Sequence, residues 1–162
     1  MKVFRIITVF LTLALCVTIF CLSAENATDS SATSRGIIKK VVALFIEDFK
    51  TLSEAEQQEI CAPFQFIVRK SAHFCLYLAL GVLSFLSLVT YNKTARFKIT
   101  VSIVFSYMYA VSDEIHQLFV PGRSGELRDT LIDLCGAVLG VLITFIIVKR
   151  TKRFKHFLEK KV

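Results

Sequence analysis

Ile99-Thr-Val-Ser-Ile-Val-Phe-Ser-Tyr-Met-Tyr-Ala-Val-Ser112 is an apolar run of 14 residues that leads directly into Asp113-Glu114-Ile115-His116-Gln117-Leu118-Phe119-Val120. A helix needs about 20 residues to cross the hydrocarbon core of a bilayer. The run therefore spans only if its polar end is counted with it. Charged groups at membrane depth cost about 2.5–3.5 kcal/mol each on insertion scales, and chains that keep them generally use them. The block 113–117 is both the boundary of a span and the first place to look for function.

Outward from this stretch the rest of the 162-residue chain reads the same way. With 54% hydrophobic residues and a mean hydropathy of +0.61 it is too apolar for an ordinary soluble domain. Spans are expected over residues 6–23, 71–90, 99–120 and 130–148. The spacing predicts an all-α polytopic membrane protein: four transmembrane helices in one domain, residues 1–148, followed by a basic tail, 149–162. Lys2 and Arg5 before an apolar core resemble a secretory signal. The run is long for one, and Ser23-Ala24-Glu25 is a poor cleavage site, so an uncleaved first helix is expected.

The net charge of +7 does not point to nucleic acid. Lys and Arg gather in the tail, in the loop 91–98 and before Ile6, which fits the positive-inside rule with both termini cytoplasmic. A basic tail beside a membrane favours anionic lipid. Four of the five cysteines fall within the expected spans, and no C-x-x-C spacing occurs. Neither a disulfide, a metal site nor a cofactor is expected.

Between the first two spans, residues 24–65 form an extracytoplasmic segment. Its first part, 25–35, is rich in Ser, Thr and Ala and reads as loop. Ile38, Val41, Phe45, Phe49 and Leu52 then recur at helical spacing, describing an amphipathic helix on the outer surface. Ser53-x-x-Glu56 is a capping-box signature for a short helix that ends near Pro63.

Residues three, four and seven apart share a helix face. Lys70, His73, Tyr77, Gly81 and Ser84 align on the second span. Ser102, Ser106, Tyr109, Asp113, His116 and Gln117 align on the third, with Glu114 at the margin. Asp129, Asp133, Gly136 and Gly140 align on the fourth. Polar stripes in a bilayer must face protein or water, so the three are expected to point at one another. Lys70, His73, Asp113, Glu114, His116, Gln117, Arg123, Asp129 and Asp133 then form an outer-face pocket closed by the turn-rich loop 120–128. In this pocket Lys70, His73, Gln117, Arg123 and Asp133 are placed as binding residues, with Lys70 and Arg123 holding phosphate or carboxylate. Asp113 with His116 serves as general base and orienter, and Asp129 or Glu114 as a second acid. No G-x-S-x-G motif supplies a nucleophile, so no reaction is assigned. The bland alternative is a buried ionic network in which Lys70 and Arg123 neutralise Asp113 and Asp129 and fix helix register. Gly136-x-x-x-Gly140 permits close packing of the fourth helix on its neighbours.

These motifs carry a family resemblance. Arg69-Lys70-Ser-Ala-His73-Phe-x-x-Tyr77, then Asp113-Glu114-Ile-His116-Gln117-Leu-Phe-Val-Pro121-Gly122-Arg123, then Asp129-x-x-x-Asp133-x-x-Gly136-x-x-x-Gly140 resemble the VanZ-like family. Phe20-Cys-Leu-Ser23 with Ser30 and Ser34 resembles that family's exit from its first helix. The resemblance covers all but the basic tail. It implies a four-helix protein of the bacterial cell membrane, related to a teicoplanin and lipoglycopeptide resistance determinant. It supplies motif positions without assigned chemistry. The expected partners are membrane lipids and a lipid-linked cell-wall precursor or lipoglycopeptide, with no nucleic acid. A small proton-coupled transporter and a non-catalytic membrane scaffold are the competing readings.

Overall fold

Helix α1, Lys2–Ser23, is built inside out relative to a soluble helix. Its buried residues include Thr8, Thr12 and Ser23, while Phe10 is 68% and Ile6 68% exposed. Burial of hydroxyls under a coat of exposed large apolar side chains is the arrangement a bilayer requires, since lipid satisfies no polar group. The hydroxyls satisfy themselves: Thr12 donates to the Thr8 carbonyl at 2.8 Å, and its oxygen lies 3.2 Å from that of Ser87.

The computed structural model describes residues 2–123 and 125–159. Ser124 in the pocket-closing loop and residues 160–162 of the basic tail lie outside the described residues. The remaining helices are α2 Ala27–Val42, α3 Glu54–Val89, α4 Ala95–Gln117 and α5 Leu127–Glu159, with one 3-10 turn at Phe49–Thr51. Among the described residues there is no strand, so the all-α expectation holds. Among the described residues three helices are long and apolar enough to cross a membrane: α1, α3 and α5.

Three boundaries differ from the sequence reading, each for a physical reason. The polar stretch 25–35 is helical rather than loop: α2 starts at Ala27, and Ser30 N–H already donates to the Asn26 carbonyl at 3.1 Å. The amphipathic helix stops at Val42, before Phe45, and Asp48 adopts left-handed backbone with φ 62° ahead of the 3-10 turn. The Ser53–Glu56 capping box is present, but the helix it starts does not end near Pro63. An interior proline removes one backbone bond and crowds the preceding turn, at about 3 kcal/mol. Here packing overrides that penalty, because Ile38 and Phe49 bury against Cys61, with Ile60 and Val68 around them, on both sides of Pro63. α4 begins at Ala95, earlier than expected, because the Thr94 hydroxyl accepts the Phe97 N–H at 3.2 Å.

α3 is the axis of the bundle and packs against each of the other four helices. Its contact with α5 is backbone on backbone. A Cβ at Gly136 or Gly140 would collide with the carbonyls of Phe74 and Leu78, and one at Gly81 would collide with that of Ala137. The Gly136-x-x-x-Gly140 spacing thus serves packing within the chain. At one end, Arg5 donates to Thr90 at 3.1 Å and lies 3.9 Å over the Tyr91 ring, joining the start of α1 to the end of α3. At the other end meet the last residues of α1 and α4, the middle of α3 and the first turns of α5.

Candidate functional site

That second end collects the polar stripes, and they do face one another. Asp113, Glu114 and Gln117 of α4 and Asp129 and Asp133 of α5 are all buried, at 7% exposure or less. Lys70 of α3 pairs with Asp129, and its ammonium also lies 5.2 Å from the centroid of the aromatic Phe66 ring. His73 Nδ1, one turn along α3, stands 3.6 Å from Asp133 Oδ1. Asp113 Oδ2 accepts from the Ser23 hydroxyl at 2.9 Å and from the Gln117 amide at 3.3 Å. Glu114 turns the other way: its Oε2 accepts the Glu126 N–H at 2.9 Å and braces the connection into α5.

The connection is shaped by its sequence. Residues 118–120 continue α4 as turns, and Pro121-Gly122 forms the next one, closed by Arg123 N–H to the Val120 carbonyl at 3.1 Å. Gly122 carries φ 74°, the conformation that a glycine after proline supplies without strain. The turn aims Arg123 back at α1, where its guanidinium donates to the Leu22 carbonyl at 3.2 Å.

His116 does not join the acids. Its ring stacks on Phe20 with centroids 4.5 Å apart, and its Nε2 has no hydrogen-bond partner. The partners of Asp113 are Ser23 and Gln117, and the histidine that faces the carboxylates is His73. The general-base pairing expected of Asp113 with His116 therefore has no hydrogen bond behind it.

Two residues beyond the expected set belong to the site. Ser23 ends an otherwise apolar run, which is the sequence signal for it. Arg69 sits beside Lys70 and, together with it, with Arg123 and Glu126, and with Ser31 and Ser34 of α2, lines a polar pocket of about 250 Å³. The α2 wall was hidden because residues 25–35 read as loop. Burial, followed by the neighbouring Arg69, pushes the Arg123 pKa below its ordinary value. A guanidinium keeps its proton regardless. Two like charges held together in this way favour an anion between them.

The fold and site define an all-helical membrane protein with a charged pocket at one end of its bundle. A sequence model of the VanZ/LLP1 family matches residues 8–148, and the chain belongs to that family. No curated protein and no solved structure matches it.

Proposed function

We propose that this VanZ/LLP1-family protein binds, at the outer face of the bacterial cell membrane, the anionic headgroup of a lipid-linked cell-envelope precursor, and thereby bears on teicoplanin and lipoglycopeptide susceptibility. α4 serves as the fourth span: it is 23 residues long and its polar side chains face inward. Both termini are cytoplasmic, since Lys2, Arg5, Lys93, Arg96, Lys98, Lys149 and Arg150 belong to the end opposite the pocket.

The observation that supports this reading most is the 250 Å³ pocket with Arg69, Lys70 and Arg123 in its wall. Three cations of which two are guanidiniums match phosphate oxygens through charge-assisted, bidentate bonds. Lys70 is held by Asp129, so the arginines make the first contact. Phe64, Phe66 and Ile67 stay exposed on the same stretch of α3, where an acyl or prenyl chain would lie.

Purified protein in nanodiscs, titrated with polyprenyl phosphate, tests the reading. Binding is expected, weakened at least about tenfold by Arg69→Gln or Arg123→Gln, in step with loss of the susceptibility phenotype at normal membrane levels. Absence of binding to polyprenyl phosphate and phospholipid phosphate alike would overturn it.

A further inference from the structure

We propose that His73, Asp113 and Asp133 form a binding site for one divalent transition-metal ion, zinc or manganese, within the pocket end of the bundle. The three residues come from α3, α4 and α5, and their ligand atoms, one per residue, all lie within 4.8 Å of one another. Ligands about 2.1 Å from a tetrahedral ion stand about 3.4 Å apart. The 3.6 Å between His73 Nδ1 and Asp133 Oδ1 is close to that edge, and too long for a hydrogen bond.

The unsatisfied atoms point the same way. Asp133 is 0% exposed, and neither of its carboxylate oxygens has a hydrogen-bond partner. The Gln117 amide that donates to Asp113 is equally buried and leaves its own Oε1 unpartnered. Tyr77, one turn along α3 from His73, is 0% exposed with an unpartnered hydroxyl. Buried polar groups without partners are rare, and each calls for an explanation. Of the protein's own cations, Lys70 is engaged by Asp129 and Arg123 donates to the Leu22 carbonyl, while His73 approaches only one Asp133 oxygen, at 3.6 Å, and does not satisfy it. A doubly charged ion between the two carboxylates does.

The donor set selects the ion. One imidazole nitrogen and two carboxylates, with no thiolate in the cluster, suit zinc and manganese rather than copper(I) or an iron–sulfur group. Asp113 is already oriented as a ligand would be, by Ser23 and Gln117 on the same oxygen. A cavity of about 140 Å³, bordered by Ser23, His73, Tyr77 and Arg123, lies against the histidine of the site and leaves room there for water as a further ligand. Sequence spacing hides such a site, because positions 73, 113 and 133 lie on three different helices. The inference is independent of the substrate proposed above.

The full-length protein, purified through a tag without histidine and freed of metal by a chelator, is dialysed against zinc or manganese chloride. Bound metal is then counted by mass spectrometry. About one ion per chain is expected for the wild type, with a rise in Tm on addition. Asp133→Asn and His73→Ala are expected to weaken binding at least about tenfold, and Ser23→Ala by about tenfold through ligand orientation. Glu54→Gln, at the surface pair with Lys39, binds as the wild type does. Wild-type protein that retains well under one ion per chain of both metals overturns the proposal, whether or not the variants fold. Undiminished binding by folded Asp133→Asn and His73→Ala overturns it as well.

Discussion

Ser23, the last residue of α1, donates its hydroxyl to Asp113 Oδ2 across 2.9 Å, joining two helix ends 90 positions apart. Both side chains are buried. Ser23→Ala removes the donor and leaves a buried carboxylate oxygen short of a partner, which costs about 1–3 kcal/mol. Ser23→Thr keeps the hydroxyl. Thermal unfolding in detergent is expected to show a Tm several degrees lower for the alanine variant and close to wild type for threonine. Equal Tm values for both would mean that the bond contributes nothing.

The Lys70–Asp129 pair separates site from scaffold. The lysine side chain is 14% exposed and the aspartate 4%. Lys70→Met leaves Asp129 buried and uncompensated, a loss of about 3–5 kcal/mol. Lys70→Met with Asp129→Leu removes both charges and is expected to recover most of that stability. If the pair belongs to an anion site, the double variant reaches the membrane normally and still fails to bind polyprenyl phosphate. Recovery of stability and binding together would make the pair a register device alone.

The inward faces of α3, α4 and α5 were legible because lipid admits no polar stripe, so Asp113, Gln117, Asp129 and Asp133 had one direction available. The glycine spacing of α5 was legible for the same kind of reason, although only the fold shows that Phe74 and Leu78 lie opposite it. What sequence could not give was set by contacts between distant segments. Pro63 reads as a helix end until Ile38 and Phe49 are seen packing on both sides of it. His116 and His73 both lie on polar stripes, and only the stacking of His116 on Phe20 separates their roles. Arg69 was visible beside Lys70, but its pocket needs α2, whose first turns carry no apolar pattern.

The closeness of α3 and α5 makes a sharp prediction about glycine. Gly140→Ala sets a methyl against the Leu78 carbonyl, and Gly136→Ala sets one against that of Phe74. Backbone cannot yield as a flexible side chain does, so each is expected to destabilise by about 1–3 kcal/mol. Gly36→Ala, in α2 with nothing within 4 Å of the new Cβ, is expected to stabilise by about 0.5–1 kcal/mol through helix propensity. Unfolding curves of the three variants, collected side by side, check both signs. A neutral Gly140→Ala would show that the helices separate without cost.

The proposed orientation in the membrane rests on where the cations lie. Arg5 is tied to Thr90, and Lys98 donates to the Val89 carbonyl at 2.9 Å, so the basic segments around 2–5 and 93–98 share one end of the bundle. The proposed topology keeps such segments in the cytoplasm and so has the pocket end outside. In a Cys-free background, Lys50→Cys is expected to react with a membrane-impermeant maleimide on intact spheroplasts. Lys93→Cys is expected to react only after lysis. Both positions are exposed, so burial does not confound the readout. Labelling of Lys93→Cys from outside would invert the topology and turn the arginine pocket toward the cytoplasm, where a lipid-linked precursor would have to be met before it crosses the bilayer.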